Sequence, residues 1–172
     1  QITKLKKENI RYQKNLDGGA FFDCACYLIK ATYLILGDNY KNIEGCISYD
    51  DDYEVDTGGV CLINYKSGPA VFLDWGMGRS YTNEIDIWTE KHRIKANRFF
   101  SKSHDLESTI IKVNSTGDIN SIEIQKMNHF EAMFNEFYKV INGNQFDEHL
   151  IMLKSYQRFF FSIYDSLFAK KV

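Results

Sequence analysis

A carboxylate and a phenol stand four residues apart in the segment Asp17-Gly-Gly-Ala-Phe-Phe-Asp23-Cys-Ala-Cys-Tyr27. An apolar run continues to Leu36 and Gly37 follows it, so the spacing predicts a helix over residues 18 to 36. At ~1.5 Å rise per residue and ~3.6 residues per turn, Asp23 and Tyr27 share one face, roughly 6 Å apart along the axis. Such a pair can handle a proton. It can equally be a surface pair making an ordinary hydrogen bond, and the spacing by itself does not separate the two.

The elements around the pair narrow the possibilities. Asp17 is placed to cap the orphan amides of the first turn, while Gly18 and Gly19 let backbone or ligand approach closely. Ala20, Phe21, Cys24, Leu28, Ala31 and Ile35 recur at three- and four-residue steps and form the expected inward stripe. Lys30, seven residues beyond Asp23, shares the outward stripe, where it either meets a ligand phosphate or hydroxyl or is simply solvated. Arg11 and Tyr12 precede the glycines closely enough to fold over the start of the helix.

Gly18-Gly19, Asp23 and Tyr27, with the helix to Leu36-Gly37, resemble the segment that opens the C-terminal domain of the Gfo/Idh/MocA oxidoreductases. Asp17 and Ala25 stand where that family usually has glycine. The resemblance extends over roughly residues 9 to 143, through Val55-Asp56, the turn Lys66-Ser67-Gly68 and the helix start Asn128-His129-Phe130. It implies a dihydrodipicolinate-reductase-like C-terminal fold and an oxidoreductase that uses NAD or NADP on a sugar or nucleotide-linked sugar. The resemblance also implies site roles. Tyr27 is the expected acid or base; because a phenol ordinarily titrates near pH 10, its action as a base needs a nearby cation. The family supplies a lysine from an N-terminal nucleotide-binding domain. Asp23 is expected to orient the substrate hydroxyl or the tyrosine, Arg11, Asp17 and Lys30 to contact substrate, and Gly18 and Gly19 to bind the cofactor. The resemblance further implies a homo-oligomer joined through the sheet face, and an isolated domain that is inactive. The alternatives are a non-enzymatic interaction module and a free-standing sugar-binding domain of the same fold.

From about residue 43 to 126 the pattern changes to short runs near period two, separated by turn signals. Val60 to Tyr65 and Ala70 to Trp75 make the clearest hairpin; Ile85 to Trp88, His92 to Ala96, Thr109 to Val113 and Ile122 to Gln125 are further strands. Connections this short favour antiparallel pairing. Helical spacing returns at Asn128 to Ile141, with Asn128 and Glu131 resembling a capping box, and again at about 146 to 169. The expected fold is α+β, a largely antiparallel open sheet with helices on one face. Residues 1 to 16 are expected to be an arm from a preceding nucleotide-binding domain, and residues 17 to 172 the substrate-binding and oligomerising domain. Gly76-Met77-Gly78 is not a dinucleotide fingerprint, since Tyr81 replaces the third small residue and no βαβ pattern surrounds it.

The chain's 172 residues are 44% hydrophobic, enough for one domain with a real core. A formal charge of −2 gives no electrostatic footprint for nucleic acid. Cys24, Cys26, Cys46 and Cys61 are too few for a disulfide scaffold; reduced, buried thiols and a cytoplasmic setting are expected. Cys24 and Cys26 sit about 200° apart around a helix, and the four histidines are scattered, so no metal site is expected. No apolar run approaches the ~20 residues of a membrane span, and no membrane partner is expected.

Overall fold

The computed structural model describes residues 6–100, 102–143 and 146–169. The helix bearing Asp23 and Tyr27 is not uniformly α-helical: a π-helical segment, Phe21–Ala25, runs directly into α1, Cys26–Leu36. A π-turn closes its hydrogen bonds over five residues rather than four and so takes up one extra residue. The buried stripe records that slip. Burial falls on Ala20, Phe21, Cys24, Ala25, Ile29 and Thr32, whereas the expected stripe continued through Leu28, Ala31 and Ile35. Ile35, predicted inward, is 50% exposed.

The chain divides into two compact units, one formed by Gln1–Tyr81 with Leu150–Val172 and the other by Thr82–His149. In the first unit, β1 (Tyr40–Tyr49), β2 (Asp56–Tyr65) and β3 (Ala70–Gly76) form an antiparallel sheet in that order. The β2–β3 pairing is the expected hairpin, in register from Gly58↔Gly76 to Asn64↔Ala70. Strand β1 was not among the expected strands, because Lys41, Asn42, Glu44 and Gly45 dilute its β-forming residues. The helix α3, Phe146–Phe168, supplies Phe159, Phe160, Ile163 and Leu167 to the core. Phe21 is the centre of that core: the rings of Trp75, Phe160, Tyr164 and Phe168 meet it edge-on at 5.9, 5.2, 5.5 and 5.4 Å. Edge-to-face packing at these separations adds to the area buried and fixes the π-segment against α3.

By length and composition the helical run Lys14–Leu36 could cross a membrane, with a mean hydropathy of 1.4, which corrects the expectation that no run was apolar enough. Ala20, Phe21, Ala25 and Ile29 lie within it at 0% exposure, packed in the domain core. The expected arm is also more than a connector. Short 3-10 turns cover Ile10–Tyr12 and Lys14–Leu16, and Tyr12 is buried, stacked on Tyr53 at 4.1 Å. Residues 1–5 of the arm lie outside the described residues.

In the second unit, β4 (Glu84–Trp88), β5 (His92–Asn97), β6 (Ser108–Asn114) and β7 (Ile119–Ile124) form an antiparallel sheet in sequence order. The fold is therefore α+β with two open antiparallel sheets where the sequence suggested one. The register puts Ile85, Ile87, Ile94, Ala96, Ile110 and Ile122 on one face. The other face carries the ion pairs Arg93–Asp86 and Lys95–Glu84. Helix α2, His129–Asn142, starts where the Asn128 side chain accepts the amides of Phe130 and Glu131 at 3.0 and 3.3 Å.

Candidate functional site

The helix start that presents Asp23 lacks a local cap. Ala20 occupies the N-cap position, and Asp17, expected to fill that role, instead ends the 3-10 turn in the left-handed region at φ 53°, exposed to solvent. The carboxylate of Asp56, at the first position of β2, takes over. It accepts the Phe21 amide at 2.7 Å, and the amides of Ala20 and of Asp56 itself also favour its charge. Burial outweighs them and holds the Asp56 carboxyl above its ordinary range. Gly19, at φ 129°, lies directly against this carboxylate, where a Cβ would collide with Oδ1. Both the backbone angle and the crowding therefore demand glycine.

Gly18 serves a second approach. A Cβ there would sit 2.6 Å from the Arg11 carbonyl oxygen and 2.7 Å from that of Ile10. The Gly18 amide donates to the Gln13 carbonyl at 3.0 Å and the Gly19 amide to the Arg11 carbonyl at 2.9 Å. Neither amide is therefore turned toward a cofactor phosphate, which is the contact that usually makes glycine useful beside a dinucleotide. What the two glycines position is Arg11.

Seated in this way, Arg11 donates from Nε to Asp23 Oδ2 at 2.7 Å, with side-chain exposures of 36% and 29%. The hydrogen bond that Arg11 donates to Asp23 raises the Arg11 pKa above its ordinary value, against burial, and the charges that Cys24 and Tyr27 would carry on deprotonation push the same way. Asp23 is half-buried and Tyr27 is 52% exposed; neither is enclosed in the apolar interior. Among the described residues the Tyr27 hydroxyl has no hydrogen-bond partner. The π-segment matters here too. An α-helix advances ~100° per residue and the wider π-turn advances less, so Tyr27 returns nearly beneath Asp23 while Lys30 falls behind that stripe.

Lys30 departs from the expected arrangement accordingly. Its ammonium lies 4.2 Å over the ring of Tyr156 and 5.6 Å over that of Tyr33, and burial lowers its pKa. The structure thus gathers Arg11, Asp23 and Tyr27, and leaves Asp17 and Lys30 apart. The sequence reading missed Asp56 as the cap; no local signal pointed to it, because Asp17 offered a nearer acceptor of the right residue type. Burial pushes the thiols of Cys24 and Cys61 up to about 12, so neither is a nucleophile at neutral pH, while Cys46 is exposed rather than buried as expected.

The arrangement can therefore offer one proton from a free phenol beside a fixed, net-neutral guanidinium–carboxylate pair. A curated relative is the dTDP-3,4-didehydro-2,6-dideoxy-alpha-D-glucose 3-reductase of Actinomadura kijaniata, 32% identical over 100 residues, covering 58% of this chain and 30% of that protein. The protein of the same name from Saccharopolyspora spinosa is 25% identical over 125 residues, covering 72% of this chain and 37% of that protein. In fold, a 3-ketoreductase from Actinomadura kijaniata, solved with NADP and TDP-benzene, matches at a TM-score of 0.76 and 23% identity, over 83% of this chain and 43% of that one. An NAD-binding protein from Listeria innocua matches at 0.57 and 18%, over 83% of this chain and 42% of that one. The chain spans less than half the length of these relatives. Residues 2–95 match the sequence profile of the GFO/IDH/MocA C-terminal domain, and the chain belongs to that family.

Proposed function

We propose that this chain is the substrate-binding half of an NADP-dependent reductase that acts on a carbonyl of a nucleotide-linked sugar. The observation that carries this reading is the free hydroxyl of Tyr27 beside the fixed Arg11–Asp23 pair on the exposed face of the helix. The activities for which the relatives are named and the ligands of the matching 3-ketoreductase support it.

Both sheets are antiparallel and the amides of Gly18 and Gly19 are engaged within the chain, so the described residues build no cradle for a dinucleotide's phosphates. They fit the substrate side of the reaction. The nicotinamide, when bound, supplies the hydride. The Tyr27 hydroxyl is a hydrogen-bond donor and is suited to pass its proton to the substrate's carbonyl oxygen as negative charge develops there. Asp23, held by Arg11 at 2.7 Å, keeps the polar face in place beside it. The isoleucine-rich face of the β4–β7 sheet supports a homo-oligomer joined through that face, and four free thiols suit a reducing, cytoplasmic setting.

The test is nicotinamide oxidation by the longer protein that contains this chain, supplied with NADPH and a dTDP-linked keto sugar. Steady consumption that depends on the sugar is expected. A purified, folded protein that consumes no NADPH with any nucleotide-linked keto sugar would contradict the assignment.

A further inference from the structure

We infer that Arg11 is a specificity-determining substrate contact, which holds the oxygen on the sugar carbon next to the one that reacts. The inference rests on the reductase reading above and adds the part of the substrate that is recognised. Three observations lead to it.

The first is the seat. Asn9 accepts the Arg11 amide at 3.1 Å, the Arg11 carbonyl accepts from Gly19, and the absent Cβ of Gly18 admits the Arg11 backbone. A long side chain anchored this closely at its root, then gripped at Nε by Asp23, forfeits little freedom when it meets a ligand.

The second is what remains unengaged. Only Nε of the guanidinium is hydrogen-bonded among the described residues, which leaves the N–H groups of Nη1 and Nη2 as donors on a partly exposed side chain. Asp23 Oδ2 is occupied by Arg11, and no hydrogen bond among the described residues engages Oδ1.

The third is charge and spacing. Arg11 and Asp23 together are net neutral, so the pair has no excess charge to attract a phosphate or carboxylate and matches a neutral polar oxygen instead. Asp23 stands one helical turn, ~5–6 Å, from Tyr27. The oxygens carried on adjacent ring carbons of a sugar, one receiving the Tyr27 proton and the other facing the Arg11 fork, are suited to fit within that interval. A carbonyl oxygen on the neighbouring carbon would accept from Nη, and a hydroxyl there could in addition donate to Asp23 Oδ1.

The experiment compares kcat/KM of the full-length protein for a nucleotide-linked keto sugar bearing an oxygen on the neighbouring carbon and for the analogue lacking it. The wild type is expected to favour the oxygenated substrate by about 10- to 100-fold, the scale of a hydrogen bond to a charged group. Arg11→Met should bring the two within about threefold, and Arg11→Lys, which keeps a donor but not the fork, should fall between. Undiminished preference in Arg11→Met overturns the inference and leaves the reductase reading intact. If circular dichroism shows Arg11→Met unfolded, Arg11→Lys decides: full wild-type preference overturns the inference, and a reduced preference supports it. Absence of turnover by the wild type with both sugars defeats the reductase reading, and the inference with it.

Discussion

Tyr27→Phe in the full-length protein is expected to lower turnover by at least ~10²-fold, the usual scale of a general acid's contribution. The substitution removes one oxygen and little else. The ring is 52% exposed and its hydroxyl has no partner among the described residues, so folding stability should stay within about 0.5 kcal/mol of wild type. Binding of the nucleotide-linked sugar should change only a few-fold, because the proton is transferred as the carbonyl is reduced rather than on binding. Single-turnover rates, measured beside a thermal melt and a binding isotherm, separate the three effects. A variant with wild-type turnover would remove Tyr27 from the chemistry. A variant that loses stability and turnover together would show that the hydroxyl is structural.

The largest effect on stability is expected at Asp56. Replacement by Ala leaves the buried Phe21 amide without its 2.7 Å acceptor, at the point where Phe21 enters the aromatic core. A hydrogen bond to a charged group, with the desolvation of an orphaned amide, puts the loss at about 2–4 kcal/mol. Asp56→Asn keeps one acceptor and should lose about half of that. The pH dependence has a definite sign. Burial raises the Asp56 pKa in the folded protein above its ordinary 3.8, so the folded form holds this proton more tightly than the unfolded chain does. The resulting contribution is complete below the unfolded value and is lost as pH rises through the folded one. The stability advantage of wild type over Asp56→Asn should therefore be greatest in acid and shrink from about pH 4 upward. Urea unfolding of both proteins across that range measures it. An advantage that grows with pH would show that the capping amides, not burial, govern the group.

Both predictions concern the same helix, and they differ in how far the sequence revealed them. Asp23, Tyr27 and the close passage of Arg11 were legible because residues a few positions apart on a helix, or on the turn before it, can be placed by geometry alone. The β2–β3 hairpin was legible from two apolar runs flanking Lys66-Ser67-Gly68-Pro69. The slip of the buried stripe from Leu28 to Ile29 was not, because one extra residue in a π-turn leaves no composition signal; only the packing of Phe21 against α3 and Trp75 selects it. Lys30 was misplaced for the same reason. Asp56 was invisible as a cap because its partner lies 35 residues away in sequence, so only the pairing of β2 with its neighbours brings it to the helix start. Asp17 carries the residue type of a cap, but it ends the preceding 3-10 turn in the left-handed region, and Ala20 takes the N-cap position. Local chemistry was readable; long-range satisfaction of buried amides was not.

The proposed function places the reaction of a nucleotide-linked sugar on the exposed face of this helix. The most direct measurement is a crystal structure of the full-length protein with such a sugar bound. The oxygen of the reacting carbonyl is expected about 3 Å from the Tyr27 hydroxyl, within hydrogen-bond reach, with Asp23 and Arg11 alongside. A sugar bound in full occupancy away from this face, with Tyr27 still facing solvent, would contradict it.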